Sequence, residues 1–293
     1  MAKMIWNPIE TYEKLLVNLS PNLDCEFYGL PEILWCYTTA QSNAKLVMFQ
    51  NTNTKIFLRT RGEYATIYLI QGKFEKTDFE QLKSELPKHG VFNIKFETML
   101  RNLKSTIPEA KKVPTWILDK TWEFKNLDQE TRRKFKCAKR DFEYRKAEEK
   151  DMPLIKKLLE EWIVIAKKRY FIVNRGPYRK MIDNCSKLKN MELYLLIHKE
   201  SKEVCGFFDA HKDANLKQLF PAQGKHNFKY KYAGRALNIF FMDMFVNEKY
   251  VYSNFGDTCD TMKRECGLKK IDSYTVDTIK LEKIKSSFGG YFK

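Results

Sequence analysis

The chain has 293 residues, 43% hydrophobic and 14% aromatic, enough for two domains with real cores and not the make-up of a disordered chain. Fifty-three Lys and Arg stand against 37 Asp and Glu, and the resulting +16 favours anionic partners: nucleic acid, phosphorylated small molecules or acidic headgroups. No apolar run approaches the ~18 residues of a membrane span and MAKMIWNPIETYEK holds no signal-peptide stretch, so a cytoplasmic chain with no membrane span is expected.

Along the first 110 residues, AKLVMFQ (44–50) and TKIFLRTR (54–61) predict a hairpin closed by an Asn/Thr turn. EYATIYLIQG (63–72) predicts a further strand ended by Gly72. TDFEQLKSELPKHG (77–90) predicts a helix capped by Thr77 or Asp78 and closed at Gly90, and VFNIKFE (91–97) returns to a strand. Two prolines, Pro108 and Pro114, lie in a connection that enters a strand at 115–124. LDQETRRKFKCAKRDF (127–142) then predicts a basic helix. Its Arg132, Arg133, Lys136, Lys139 and Arg140 read either as a solvated face or as one positive stripe at three- and four-residue spacing.

From Phe142 the pattern renews. Phe142 to Ala147 predicts a strand, and Asp151 caps a helix that buries Leu154, Ile155, Leu158, Leu159, Trp162 and Ile163. A second helix follows around 177–188. ELYLLIHK (192–199) and EVCGFFDAHK (203–212) form a hairpin about the turn ESKE. A loop through Pro221 and Gly224 leads to a helix running to about Val246, then a strand at 250–256, a helix at 257–267 closed by Gly267, and a last strand at 269–281.

Residues 229–241, KYKYAGRALNIFF, hold the sharpest question. Leu237, Phe240, Phe241, Met244 and Phe245 fall at helical spacing and are core. The turn before them reads as a plain basic loop or as a phosphate cradle at a helix N-terminus. Unpaired N–H groups and the positive helix end suit an anion there. In that cradle Gly234 and Ala236 keep side chains short, and Lys231 and Arg235 add charge.

The order of elements and three stretches resemble the GNAT superfamily of N-acyltransferases, over about 150 residues from 142 onward. YRKAEEKDMPLIKKLL is similar to that family's first strand and helix, with Arg145, Ala147 and Asp151 in their places. Lys231-Tyr232-Ala233-Gly234-Arg235-Ala236 is similar to its pyrophosphate loop, Q/R-x-x-G-x-G/A, and DTMKRECGLKKID to its late helix ending at Gly267 and Leu268. Lys231 departs from the usual Gln or Arg. Lys263 stands where many members carry the Tyr that protonates the leaving group. The segment from Trp122 to Glu149 also resembles tandem-GNAT enzymes of the Fem type, which transfer amino acids from charged tRNA.

The expected fold class is therefore α/β (α+β). A GNAT-like mixed sheet flanked by helices fills residues 126–293, including the basic helix 127–141. A smaller α/β domain fills 1–125, one reading of which is a second, degenerate GNAT unit. The resemblance implies an acyltransferase in which a primary amine attacks the donor directly, the donor being acyl-CoA such as acetyl-CoA, or aminoacyl-tRNA. The acceptor lies on a small molecule or on nucleic acid. The alternative is a non-catalytic nucleic-acid-binding protein on a degenerate GNAT scaffold.

Asp209 and His211, alternating to one side of a strand, are candidates for the base, with a solvated strand end as the other reading. Asn254 can hydrogen-bond donor amides, Asp257 is a base or a helix cap, and Tyr232 can serve the leaving group in place of the absent Tyr. Cys259 has no relay to make it a nucleophile. Lys229 and the α-helical stripe at 132–140 are candidate contacts to tRNA or DNA, since aromatics interleaved with Lys suit a single strand as well as an exposed β-strand. The seven cysteines form no CxxC pair and the four histidines are dispersed, so no metal is expected.

Overall fold

The structure is a computed structural model that describes residues 4–19, 30–100, 103–169, 175–214, 216–221, 223–255 and 260–281. It divides into two compact units, Met1–Val113 with Ser273–Lys293, and Pro114–Asp272. The sequence places the division between 125 and 126 instead. The difference has a pairing cause: the strand after residue 110 joins a sheet of the second unit, and the last strand of the chain joins the sheet of the first.

The first unit runs β1 (Ile5–Ile9), α1 (Tyr12–Asn18), α2 (Pro31–Thr39), β2 (Lys45–Gln50), β3 (Thr54–Arg61), β4 (Tyr64–Gly72), α3 (Lys76–Glu85), β5 (Asn93–Leu100) and α4 (Leu103–Thr106). Its sheet is ordered β1-β2-β3-β4-β5, completed by the Ser273–Lys280 part of β13 (Lys269–Lys280). Neighbours are antiparallel except β4 and β5, which run parallel and so need α3 as their crossover. The β2–β3 hairpin turns on Asn51, whose Oδ1 accepts the N–H groups of Asn53 (2.9 Å) and Thr54 (2.8 Å). Gly72 has φ +90°, and a Cβ there would lie 2.0 Å from the Asn53 carbonyl oxygen, so no other residue closes β4. Val47, Phe49, Ile56, Leu58, Ile67, Phe79, Leu82 and Phe96 build the core.

The second unit runs β6 (Lys111–Asp119), α5 (Gln129–Asp141), β7 (Phe142–Lys146), α6 (Met152–Arg169), α7 (Arg175–Asn184), β8 (Met191–His198), β9 (Val204–Asp213), β10 (Gln218–Phe220), β11 (Gly224–His226), α8 (Ala233–Asn247), β12 (Tyr252–Asn254) and α9 (Asp260–Glu265). The strand order is β6-β12-β10-β9-β8-β7, with β11 also on β9. Again one pair is parallel, β10 with β12, and α8 is its crossover. Counted from β7, the second unit follows the order of the first, strand, two helices, a run of strands, helix, strand, helix, with three strands in that run in the first unit and four in the second.

Two layers cover the second sheet. Tyr194, Leu196, Phe208 and Ala210 pack with α5 and α8, where Leu237, Phe240, Phe241, Met244 and Phe245 are all buried as their spacing predicts. Alternate residues face α6 and α7: Lys225, paired with Phe207, reaches the rings of Trp162 and Tyr178 at 4.1 and 4.0 Å.

The Arg145, Ala147, Asp151 spacing has a physical reason. Arg145 leaves β7 and donates two hydrogen bonds to Asp151, at 2.7 and 2.8 Å, while Asp151 also accepts the Glu148 N–H at 2.9 Å. Strand end and helix start are clamped by one carboxylate, which the Arg145 guanidinium, and then the Glu148 N–H, hold down at about 2 against an ordinary 3.8. A depressed carboxyl stabilises the fold above its ordinary pKa and loses that contribution as pH falls through about 2. Asp151→Asn is therefore expected to lower stability at pH 7 by about 1 kcal/mol, as loss of a cap does. In urea melts the wild-type advantage should shrink between about pH 4 and pH 2; a gap unchanged across that window would refute the clamp.

Candidate functional site

The sheet of the second unit opens between β11 and β12. Val251 donates to the Lys217 carbonyl (2.8 Å) and Gln218 is registered with Tyr252, so β10 and β12 are joined at their starts. Beyond that point β11 stays with β9, while Phe255, after β12, donates to Trp116 of β6 (2.8 Å). The two arms follow different neighbours, and a slot opens toward their C-terminal ends.

At that end the loop 227–232 delivers α8. Asn227 donates to the Cys205 carbonyl (2.7 Å) and its side chain accepts the Lys229 N–H (2.9 Å). The Tyr230 hydroxyl donates to Glu203, and its ring lies 5.0 Å from that of His198. Tyr232 is the N-cap in the left-handed region, φ 68°, and gives the helix no side-chain cap. Ala233 N–H reaches Tyr230 (3.3 Å) and Ala236 N–H reaches Tyr232 (2.8 Å), which leaves the Gly234 and Arg235 N–H groups without an acceptor among the described residues. Unpaired donors at a positive helix end are what an anion requires.

The residues of this loop divide in role. Lys231 is exposed, its ammonium 5.0 Å from the Tyr232 ring, whereas Ala233 and Ala236 are sealed in the core. Arg235 pairs with Glu265 of α9 at 2.9 Å. Gly234 is required by a neighbour: a Cβ on it would fall 2.6 Å from Cε1 of His226. Asn238 of α8 donates to the Gly234 carbonyl (2.8 Å) and touches Met262 Sδ (3.0 Å), so α8 and α9 are joined near the slot.

Asp209 and His211 do share a face of β9, with Asp209 Oδ2 3.7 Å from His211 Nε2, and both side chains are fully enclosed. Asn254 is buried at the end of β12. Lys263, at the departure from the usual Tyr, is also buried, and its ammonium donates to the Phe255 carbonyl (2.5 Å) on the β12 arm. Asp257 and Cys259 lie outside the described residues. Tyr232 stands at the helix start, on the α8 side of the sheet, rather than beside Asp209.

On α5, Thr131, Phe135 and Ala138 face inward and the basic residues outward. Much of the stripe is spoken for: Arg132 donates to the Lys125 carbonyl (3.2 Å), Lys139 pairs with Asp243 (2.7 Å) and Arg140 forks onto Asp141 (2.6 and 3.1 Å). Lys229 lies 3.7 Å from Glu203. Arg133 and Lys136 are exposed. A cavity of about 490 Å³ beside Arg140, Asp141, His198, Lys199 and Glu200 has mixed charge. Among the described residues no group of three His, Cys, Asp or Glu is placed to hold a metal, and no helix is long and apolar enough to cross a membrane.

The fold is that of the GNAT acyltransferases, in tandem. A tandem GNAT protein from the clavulanic acid biosynthesis pathway, solved without AcCoA, matches with a TM-score of 0.56 and 10% identity over 95% of this chain and 98% of that one. L-PGS from Bacillus licheniformis matches at 0.62 and 11% identity, over 94% and 92%. A conserved protein of unknown function from Bacteroides thetaiotaomicron VPI-5482 matches at 0.63 and 15%, over 87% and 90%. At such identities the likeness establishes the fold, and the chemistry rests on the residues. No protein-family model and no curated protein matches the sequence.

His226, Gln223 and Lys225 were not singled out by the sequence. Their only signal is the run Q-G-K-H after Pro221, polar residues at positions that a short strand turns inward. The His226 contact is testable. Gly234→Ala should destabilise by about 1–3 kcal/mol, the usual range for overpacking, and adding His226→Ala should recover most of it. Additive losses in a double-mutant cycle, read from urea midpoints, would show that the imidazole is not what excludes the methyl.

Proposed function

We propose that the chain is an acyltransferase whose second unit binds the phosphate-bearing end of an acyl donor at the start of α8 and passes its acyl or aminoacyl group to a primary amine. The observation that carries this reading is the uncapped helix start at the mouth of a split sheet within a GNAT fold: the Gly234 and Arg235 N–H groups are unclaimed there among the described residues, and Lys231 is exposed beside them.

The amine nitrogen attacks the donor carbonyl, a C–N bond forms, and the C–S or C–O bond to the carrier breaks. The amine releases a proton, and the departing thiolate or alkoxide takes one up. Lys263 is the group we assign to the departing side: an ammonium held on the β12 arm offsets negative charge where many GNAT members use a Tyr hydroxyl. Asp209 and His211 alternate on β9 with Phe208 and Ala210, which pack against α8, so both face away from the start of α8 and we assign neither as the base. Asn254 lines the β12 side, where its amide suits the donor's own amides. Either acyl-CoA or aminoacyl-tRNA presents the required ester or thioester; exposed Arg133, Lys136 and Lys231 favour the longer polyanion.

The first unit gives a contrast that supports a single donor site. At its equivalent helix, α3, the Asp78 carboxylate accepts the Glu75 N–H (2.9 Å), the Thr54 hydroxyl (3.2 Å) and the Asn51 amide (2.7 Å). A carboxylate already occupies that helix start and repels a second anion. The sequence assigns this cap to Thr77 or Asp78, whereas the helix begins earlier, after Glu75, with Asp78 reaching back to it.

Calorimetric titration with acetyl-CoA is expected to give one site per chain, and saturation at a hundredfold excess over Kd should add about 2.7 kcal/mol of stability. Lys263→Met should lower turnover more than donor binding. If acetyl-CoA has no effect but charged tRNA binds in a salt-sensitive way and donates its amino acid, the donor is aminoacyl-tRNA. Salt-sensitive binding of RNA or DNA with no transfer to any amine would overturn the transferase reading in favour of a nucleic-acid-binding scaffold.

A further inference from the structure

We infer that Asp209, the carboxylate that sequence reasoning offers as a base, is a positioning residue that fixes the bulge from which the slot opens; its bearing on catalysis rests on the reading that the slot takes the donor. On β9, His211 faces Phe220 of β10 and Phe208 faces Gly224 of β11. Two residues separate these anchors on β9, and three separate them on the opposing strand. One residue is therefore in excess, which is a β-bulge, and bulges bend the strand that carries them.

A bulge in a buried sheet leaves ladder groups without partners, and each costs free energy unless it is satisfied. Pro221 removes one such group, having no N–H to satisfy. Asp209 secures the next. Its own N–H donates to the Gln223 carbonyl at 3.0 Å, and its Oδ1 accepts the Gln223 N–H at 2.8 Å. This two-point grip on one residue's backbone lies where Asp209 is 0% and Gln223 3% exposed, so water cannot replace it. A hydrogen bond from a backbone N–H to a carboxylate is a strong one.

Gln223 immediately precedes β11, and β11 leads through the six residues 227–232 into α8. The direction in which β11 leaves the bulge therefore sets where the Gly234 and Arg235 N–H groups stand relative to β12. A base must meet the proton it removes, whereas Asp209 alternates with Phe208 and Ala210 and so faces away from the start of α8.

The test compares Asp209→Asn, which keeps an acceptor oxygen, with Asp209→Ala, which does not, in the full chain. Hydrogen exchange of peptides covering 218–226 reads the grip directly. Alanine should speed exchange there and weaken acetyl-CoA binding by about tenfold, the scale of one lost buried hydrogen bond, while Asn stays near wild type in both. Unchanged exchange in the Ala variant overturns the inference. So does an Asn variant that binds acetyl-CoA normally and loses turnover, because that pattern belongs to a base. If Ala fails to fold, Asn decides alone: retained protection supports the grip, and lost protection overturns it. If the wild type itself does not bind acetyl-CoA, the acyl-CoA reading of the donor fails, and the exchange comparison still judges Asp209.

Discussion

Parallel pairing is the constraint on which the second unit depends. Two parallel neighbours cannot be joined by a tight turn, so β10/β11 and β12 require a crossover, and α8 supplies it. A crossover helix starts where its strand ends, which brings a positive helix end to the C-terminal edge of the sheet. The slot follows from a second fact: β12 finds its later partner in β6, while β11 keeps to β9. Three residues each of β11 and β12 suffice to hold the walls because each is fastened on its outer side.

The two units show how one topology can carry two different helix starts. Both present a helix after the fourth strand position and before a parallel neighbour. In one, Asp78 closes the helix start from within; in the other, a left-handed Tyr232 leaves it open. The strand order is common to both, and the end groups decide what each helix can attract. The same division marks the charges of α5: a stripe that is continuous in sequence is discontinuous in effect, because Asp243, Asp141 and the Lys125 carbonyl already take three of its members.

Sequence periodicity reached the elements whose structure is local. The β8–β9 hairpin and the apolar face of α8 are legible because alternation and helical period are short-range properties, while the Arg145–Asp151 spacing is legible through the resemblance to the GNAT superfamily. What was not legible is nonlocal. β10 and β11 read as a loop because Pro221 and Gly224 interrupt them, and they are strands only by virtue of lying against β9. The need for glycine at 234 was legible, but its reason, an imidazole eight positions earlier in the chain, was not. Lys263 was noticed as a departure, and its burial against the Phe255 carbonyl turns that departure into a positioned cation. Asp209 is legible by residue type, and its hydrogen bonds to Gln223, fourteen positions later, are not, because they join strands that only the fold brings together.

The return of β13 to the first sheet has a consequence during synthesis. The stretch Pro114–Asp272 is continuous, so the second unit can complete itself as it leaves the ribosome. The first unit is made earlier yet lacks its last strand until Ser273 onward emerges, and β5 meanwhile presents a bare edge. At about 5–20 residues per second that interval lasts many seconds, long compared with the microseconds to seconds in which small domains fold. The half of the chain that is translated first is thus the half that finishes last, and it is the half in which a nascent-chain chaperone has an edge to guard.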